Sequence, residues 1–337
     1  LTCDWSSDVC SSDLAQAADR IRAAELATQW RPFKVARIVD ESRSIRSFHL
    51  QPDDGAGRLP HRAGQHLPIR IALPNADKPT IRTYTLSVAP SDGMYRISVK
   101  RDGVVSQHLH DAIRVGDIIE ARAPAGGFTI DAREKRPAVL LAGGVGITPF
   151  IAQTRELQRL GLPYELHYAV RARDELAALP LLPEGVHVHV SAEGSRLDLG
   201  AMLSAQPLGT HLYVCASDRM ISTVLDTAQS LGWPRDALHS EEFLAPAPGE
   251  PFQVFCARSH KTLTVGTHES LLEALENAGI DAPWLCRGGA CGQCETDVIA
   301  CDGTIEHHDH WLEPEERARK IMPCVSRFRG QLLTIDR

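Results

Sequence analysis

Four cysteines near the C-terminal end constrain this 337-residue chain more than any other feature. Three of them stand in the stretch CRGGACGQC, where Cys286, Cys291 and Cys294 are separated by four and then two residues. Cys324 follows after twenty-nine further residues. The glycines of the stretch let a loop wrap closely around a small inorganic core and turn backbone N–H groups toward sulfur. The stretch is therefore interpreted as a metal-binding loop.

The spacing C-x4-C-x2-C with a distant fourth cysteine is typical of a [2Fe-2S] cluster of the plant type. Structural zinc is the alternative, but zinc usually draws its ligands from short, separate pairs. Because three ligands share one loop, the sequence predicts that Cys286, Cys291, Cys294 and Cys324 hold a [2Fe-2S] cluster. Cys256 and Cys301 lie outside the spacing and are interpreted as small buried residues.

A second group of metal-ligating residue types lies at Glu306–His310, EHHDH. Its histidines and carboxylates follow each other at spacings that match no common metal geometry. A solvated or capping turn is therefore the favoured interpretation of this tract.

Length and charge exclude several classes of protein. A chain of 337 residues exceeds the size at which single cores stop growing, so two or three domains are expected. The formal net charge of -7 and the mixed-sign surface argue against nucleic-acid binding. No run of eighteen apolar residues appears, so no membrane span is expected. Nine cysteines without a disulfide-like pattern favour the reducing cytoplasm.

The N-terminal residues are set apart from the fold. The segment DWSSDVCSSDL, residues 4–14, resembles the translation of a short-read sequencing adapter. Residues 1–14 are therefore expected to be an artefact and residues 15–29 an N-terminal segment. On this interpretation the native N-terminus and any preceding domain stay open.

The remaining chain divides into three domains by its pattern of elements. Short alternating segments punctuated by Gly, Pro and Asp predict an antiparallel β-barrel over residues 30–133, with one helix at SQHLHDAI. Apolar runs alternating with helical stretches predict an α/β domain with a parallel sheet over residues 134–243. The stretch LAPAPGEP, residues 244–251, has the composition of a linker. A hairpin, an amphipathic helix and the cysteines then form a third domain over residues 252–337.

A glycine-rich turn marks a candidate nucleotide site. In LLAGGVGITP an apolar strand meets Gly143, Gly144 and Gly146 and then a helix, whose N-terminus can bind a pyrophosphate. A second strand ends at Cys215, and the carboxyl ends of parallel strands line one crevice. After a third strand, Arg171–Asp174 offers arginine for a 2′-phosphate and aspartate for a free 2′-hydroxyl. NADH and NADPH therefore both remain open.

The barrel carries a second candidate site. Arg82, Thr83, Tyr84 and Thr85 follow one another on a strand, and alternation places Arg82 and Tyr84 on one face, where a guanidinium can hold phosphate beside a ring. Ser106 is the expected N-cap of the barrel's helix and adds an anion cradle. Together these residues predict a phosphorylated cofactor.

These motifs in this order resemble the phthalate dioxygenase reductase family, which includes vanillate demethylase reductases. The resemblance covers about Trp30 to Arg337 and is carried by RTYTLS, GVVS, AGGVGITP, YVCASD, EEF and CRGGACGQC with CVSR. It implies an FR-type flavin barrel, an NAD(P) domain and an α+β, β-grasp ferredoxin domain. FMN is favoured and FAD is possible, because GVVS and PAGGF also resemble FAD-binding relatives.

The resemblance also implies roles for individual residues. Thr85 would lie near the reactive flavin nitrogen, Cys215 near the nicotinamide, and Phe243 over the flavin at the domain junction. The expected cofactor-binding residues are Arg82, Tyr84, Thr85, Ser106 and Glu242 for flavin, and Gly143, Gly144, Gly146 and Thr148 for NAD(P)H. Thr85 replaces the family's usual serine, and Ala216-Ser217 replaces its usual Gly-Pro.

The implied function is an NAD(P)H-dependent reductase that passes electrons through flavin to the [2Fe-2S] cluster and on to a partner. A terminal oxygenase or demethylase component is the expected partner. The alternatives are a non-catalytic ferredoxin-like carrier or redox sensor, and the reductase portion of a MOSC-fused molybdenum-linked protein.

Overall fold

The computed structural model describes residue 26 and residues 29–74, 78–131, 133–243, 248–289, 291–309 and 311–337. The expected artefact at residues 1–14, most of the N-terminal segment, residues 244–247 of the linker and His310 lie outside these ranges. The described helices include none that is long and apolar enough to cross a membrane.

The first domain is an antiparallel sheet in the order β4-β3-β6-β1-β2-β5. Alternating apolar residues such as Phe33, Phe48 and Ile97 fill its core. Leu86, one residue after β4, bridges to Ile97 on β5 and so brings the two edges of the sheet together. The elements are β1 Arg31–Asp40, β2 Ile45–Pro52, β3 His66–Ile71, β4 Thr80–Thr85, β5 Tyr95–Lys100, α1 Val104–Asp111 and β6 Ile118–Ala121.

The second domain is a five-stranded parallel sheet in the order β9-β8-β7-β10-β11. Apolar clusters cover both of its faces, as the continuous apolar strands require. The strand order reverses at β7, which places a ligand crevice at the carboxyl ends of β7 and β10. The elements are β7 Ala138–Gly143, α2 Thr148–Leu160, β8 Tyr164–Val170, β9 His187–Val190, α3 Leu199–Ser204, β10 His211–Cys215, α4 Asp218–Ser230 and β11 Leu238–Glu241.

The third domain is a mixed sheet, β13-β12-β18-β14-β16, with one helix and a small β15-β17 pair. Ser270 and Glu273 form a capping box that starts the helix, and its apolar face is buried against the sheet. The elements are β12 Phe252–Cys256, β13 Lys261–Val265, α5 Leu271–Asn277, β14 Thr296–Cys301, β15 Thr304–Glu306, β16 Lys320–Ile321, β17 Arg327–Arg329 and β18 Leu332–Ile335.

The three-domain architecture predicted from the sequence is confirmed. The prediction that both remaining cysteines are buried is wrong in one case: Cys256 is buried, but Cys301 is exposed. Cys301 is the last residue of β14, where the strand runs out beyond the core, and its position on the ladder faces solvent.

Candidate functional site

A cavity of about 990 Å³ lies where the three domains meet. Its walls come from β4 and the start of α1 in the barrel, from the glycine turn after β7, and from the cysteine loop of the third domain. Segments that are far apart in the chain therefore surround one space. This is the size and position expected of a cofactor site between domains.

Strand β4 forms the barrel wall of the cavity, and all six of its residues line it. Thr85 is buried, and burial of the Tyr84 ring raises the pKa of its hydroxyl. Arg82 donates from Nη1 to the carbonyl of Ile81 at 2.7 Å. Its other guanidinium nitrogens can serve a phosphate, so the strand offers a donor fork and a ring side by side.

Ser106 does not occupy the expected N-cap position. Gly103 caps α1, and Ser106 lies inside the first turn. Its hydroxyl accepts a hydrogen bond from the backbone N–H of Asp102 at 2.7 Å and faces the carbonyls of Asp102 and Gly103. Ser106 therefore closes the loop before the helix, while residues 103–106 still line the cavity.

The glycines of the turn after β7 are needed because the end of β10 packs directly against them. A Cβ on Gly146 would lie 2.0 Å from the carbonyl oxygen of Cys215, and one on Gly143 would lie 2.7 Å from Cβ of Ala216. Gly144 adopts a φ of 55°, which favours glycine. Gly143, Gly144, Gly146 and Thr148 all line the cavity, and the Thr148 hydroxyl donates to the carbonyl of Val145 at 3.1 Å.

Cys215 is the predicted site residue of this domain that the structure places behind the cavity wall. It is buried, does not line the cavity, and burial raises the pKa of its thiol. Its neighbour across the ladder, Glu241, does line the cavity, and burial raises the pKa of that carboxyl to about 8. Sequence reasoning missed Glu241; its acidic side chain at the end of β11, next to Glu242, was the available signal.

The residues after β11 close the cavity at the junction of the domains. Glu242 lines it and accepts a hydrogen bond from the backbone N–H of Asp218 at 3.0 Å, which ties it to the start of α4. Phe243 also lines the cavity and is 43% exposed. Its ring is therefore available to cover a bound planar group.

The four cysteines lie together as two pairs. The side chain of Cys291 lies beside that of Cys286, and the side chain of Cys294 lies beside that of Cys324. This contact lowers the pKa of Cys294 and raises that of Cys324. Cys286, Cys291 and Cys324 line the cavity, whereas Cys294 does not.

The donor set fits a two-iron cluster better than a single metal ion. Among the described residues, no three metal-ligating side chains converge on one point, while two thiol pairs match one pair for each iron. The backbone N–H of Gly288 donates to Sγ of Cys286 at 3.3 Å, as expected for a sulfur-directed loop. Gly289 and Gly292 adopt φ values of 74° and 73°.

The Glu306–His310 tract behaves as a turn in its described part. Asp309 is buried and accepts hydrogen bonds from the backbone N–H groups of Trp311 at 3.2 Å and Leu312 at 2.8 Å. His307 Nε2 lies 3.0 Å from the carbonyl of Arg317. These side chains organise the turn that carries Trp311.

The charged residues that follow β8 form ion pairs with other residues of the chain. Arg173 is held in a two-point ion pair by Glu193, with Nε to Oε1 at 2.9 Å and Nη2 to Oε2 at 2.5 Å. Asp174 lies 3.6 Å from the guanidinium of Arg43 in the barrel. Arg173 and Asp174 therefore both already have a charged partner.

Two family models match the chain. The oxidoreductase FAD-binding domain matches residues 32–130, and the 2Fe-2S iron-sulfur cluster binding domain matches residues 254–329. These ranges contain β4 and the four cysteines respectively.

Curated relatives and solved structures match over nearly the whole chain. The heme-dependent oxidative N-demethylase beta subunit of Ectopseudomonas mendocina is 39% identical, over 90% of this chain and 97% of its own. The vanillate O-demethylase oxidoreductase of Acinetobacter baylyi is 32% identical, with the same coverage of 90% and 97%. The structure of phthalate dioxygenase reductase superposes with a TM-score of 0.80 and 29% identity, covering 94% of this chain and 99% of its own.

Proposed function

Because the chain belongs to the family of oxygenase reductases that join a flavin domain to a [2Fe-2S] domain, we propose that it moves electrons from NADH through FMN to the cluster and then to a terminal oxygenase or demethylase component. It is an oxidoreductase, as its relatives are. The cytoplasm, where reduced pyridine nucleotide is formed, is the proposed location.

One observation carries this proposal: the same cavity is lined by β4, by the glycine turn and by three of the four cysteines. When bound, flavin accepts a hydride and releases single electrons, which one iron-sulfur cluster can take in turn. The chain supplies the positions. Arg82 and the start of α1 hold the phosphate end, Tyr84 and Thr85 border the ring, and Phe243 excludes water from the junction.

We propose FMN because the third domain packs against the barrel beside Arg82, where Glu273 contacts β4. Pro248 of the linker and His268, Ser270 and Glu273 of the third domain also line the cavity. An adenylate half would have to displace α5, whose Glu273 accepts a hydrogen bond from the backbone N–H of Ile81 at 2.8 Å. Acid release of the flavin followed by chromatography tests this point: FMN supports it, and FAD as the major product contradicts it.

We propose NADH because Arg173, one of the two candidate 2′-phosphate ligands, is held at two points by Glu193, whereas Asp174 has only a single exposed contact with Arg43 at 3.6 Å. A phosphate would have to compete with a two-point carboxylate partner. In Glu193→Gln the guanidinium loses that partner, so kcat/KM for NADPH should rise roughly 3- to 10-fold, which corresponds to about 1 kcal/mol. Kinetics with both nucleotides measure the ratio, and Glu156→Gln, which frees an exposed arginine on α2, is the matched control.

The whole function is tested by purifying the protein without oxygen and measuring its contents and its turnover. We expect one flavin, two irons and two sulfides per chain, and NADH-dependent reduction of cytochrome c that requires all of them. Colourless protein carrying zinc, or full turnover after removal of flavin, would contradict the proposal.

A further inference from the structure

The side of the cysteine loop that faces the barrel carries a largely buried chain of charges, here called the interdomain clamp: Arg122, Glu276 and Arg287. Arg122 Nη1 donates to Oε1 of Glu276 at 3.1 Å, and Arg287 Nη2 donates to the same oxygen. Arg122 belongs to the barrel, Glu276 to α5, and Arg287 directly follows the cysteine Cys286. One carboxylate thus joins the barrel to the cysteine loop.

Two tryptophans extend the clamp at its ends. The Arg122 guanidinium lies 4.5 Å from the ring centroid of Trp30, and that of Arg287 lies 4.0 Å from the ring of Trp284. The side chains of Arg287 and Glu276 are only 7% and 12% exposed. The ion pairs are therefore shielded from salt and water, and their geometry is held by packing.

The clamp is not expected to add much to the free energy of unfolding. Nε of Arg122, Nε of Arg287 and Oε2 of Glu276 are buried without a hydrogen-bond partner among the described residues. Arg287 also adopts a φ of 54°, which a residue with a side chain enters at a cost. Buried ion pairs of this kind often contribute little net free energy and instead specify one arrangement.

The clamp fixes the position of the cysteine loop against the barrel, where flavin is proposed to bind. Two further contacts act at the same junction: Nε2 of His66 on β3 lies 3.0 Å from the carbonyl of Leu285, and Glu273 binds β4. We propose that Glu276 is a positioning residue for electron transfer, which holds Arg287 and so keeps the cysteine loop at one distance from the barrel wall of the cavity. The inference rests on the proposed route from flavin to cluster.

The charges of the clamp allow two effects on electron transfer to be distinguished: a change in the position of the cysteine loop and a change in the midpoint potential of the cluster. Two guanidinium groups share one carboxylate, so the clamp carries a net positive charge beside Cys286. Glu276→Gln increases that charge and should raise the midpoint potential of the cluster, whereas Arg122→Met decreases it and should lower the potential. A pure driving-force effect would accelerate one variant and slow the other, but loss of position slows both.

The experiment uses holoenzyme of both variants in anaerobic rapid mixing with NADH. We expect the flavin-to-cluster phase to slow at least 10-fold in each, with the hydride-transfer phase within twofold of the parent. Hydrogen exchange of residues 280–289 should accelerate at least 10-fold. Glu120→Gln and Arg70→Met are matched controls, because that pair joins two barrel strands and Arg70 also contacts Trp30.

Unchanged transfer and unchanged exchange in both variants would overturn the proposal, as would opposite changes of the two transfer rates. If Glu276→Gln does not retain its cluster, Arg122→Met decides, since that residue lies in the barrel. If the parent itself shows no flavin-to-cluster phase, the proposed function fails, and that result is distinct from failure of the clamp.

Discussion

The two sides of the cysteine loop differ in almost every physical respect. The inner side faces the barrel and is buried, with its charges paired through Glu276 and Arg287. On the outer side Trp311, 47% exposed, lies against the backbone of Gly292 between two of the cysteines. Residues 291–320 carry eight carboxylates against three Lys and Arg. On the proposed route we therefore expect electrons to enter on the inner side and to leave on the outer side, which is open to another molecule.

The largest effect is expected where the outer side contacts the loop itself. A Cβ on Gly292 would lie 2.2 to 2.6 Å from three atoms of the Trp311 indole, and its φ is 73°. Gly292→Ala should therefore cost about 3 kcal/mol or more and abolish retention of the cluster. Iron and sulfide analysis measures the retention.

Gly55→Ala is the control, because its φ is 72° and nothing lies within 4 Å of the added Cβ. It should cost only about 1 kcal/mol and leave the cluster in place. A Gly292→Ala protein with full iron and sulfide content would show that the indole does not constrain the loop.

The next largest effect is the loss of folding stability at low pH that His66, on the inner side, is expected to cause. Burial lowers the pKa of His66 to about 4, so the folded protein keeps this ring neutral. The unfolded chain takes up a proton below pH ~6.5, and stability is therefore lost as the pH falls from about 6.5 to 4. Between pH 7.5 and 4.5 this loss amounts to roughly 2 to 3 kcal/mol.

His66→Gln should remove that part of the acid sensitivity, because glutamine can donate to the carbonyl of Leu285 without titrating. Urea unfolding at both pH values measures the difference, and His260→Gln, at an exposed position, is the control. Equal acid losses in parent and His66→Gln would mean that the histidine is not held neutral.

The smallest effect probes the outer side as a docking surface. Exposed tryptophans in rigid settings are frequent hot spots, and Asp309 fixes the backbone of Trp311. Trp311→Ala should raise KM for cytochrome c, a basic redox protein, by roughly 30-fold, equivalent to about 2 kcal/mol. Reduction of the flavin by NADH should stay unchanged.

Trp311→Phe should keep most of the affinity, and Ile299→Ala, at an equally exposed residue of the same domain, should have little effect. A KM that is unaffected by removal of the indole would place partner docking elsewhere.

The residues recognisable from sequence are those whose chemistry is encoded by local spacing. The four cysteines and the β4 residues Arg82, Tyr84 and Thr85 carry their signal within a few positions of the chain, and all except Cys294 line one cavity. The two thiol pairs also match the number of ligands that two irons need, two for each.

The residues that sequence reasoning missed depend on how the domains pack together. Glu276 has the appearance of an ordinary exposed position in an amphipathic helix, and only the docked barrel supplies Arg122. The predicted N-cap Ser106 lies one turn beyond the true start of α1, because Gly103 caps this helix without a side-chain hydrogen bond. Glu241 acquires its raised pKa from burial and, secondly, from Cys286 of the third domain, so that both causes depend on how the domains pack.

The most direct test of the account is the order of reduction after rapid anaerobic mixing of the holoenzyme with NADH. We predict that the flavin absorbance bleaches first and that the cluster is reduced afterwards, at a rate set by the clamped inner side. Cluster reduction that precedes flavin reduction, or that proceeds equally fast in protein without flavin, would contradict the route from the cavity to the cysteines.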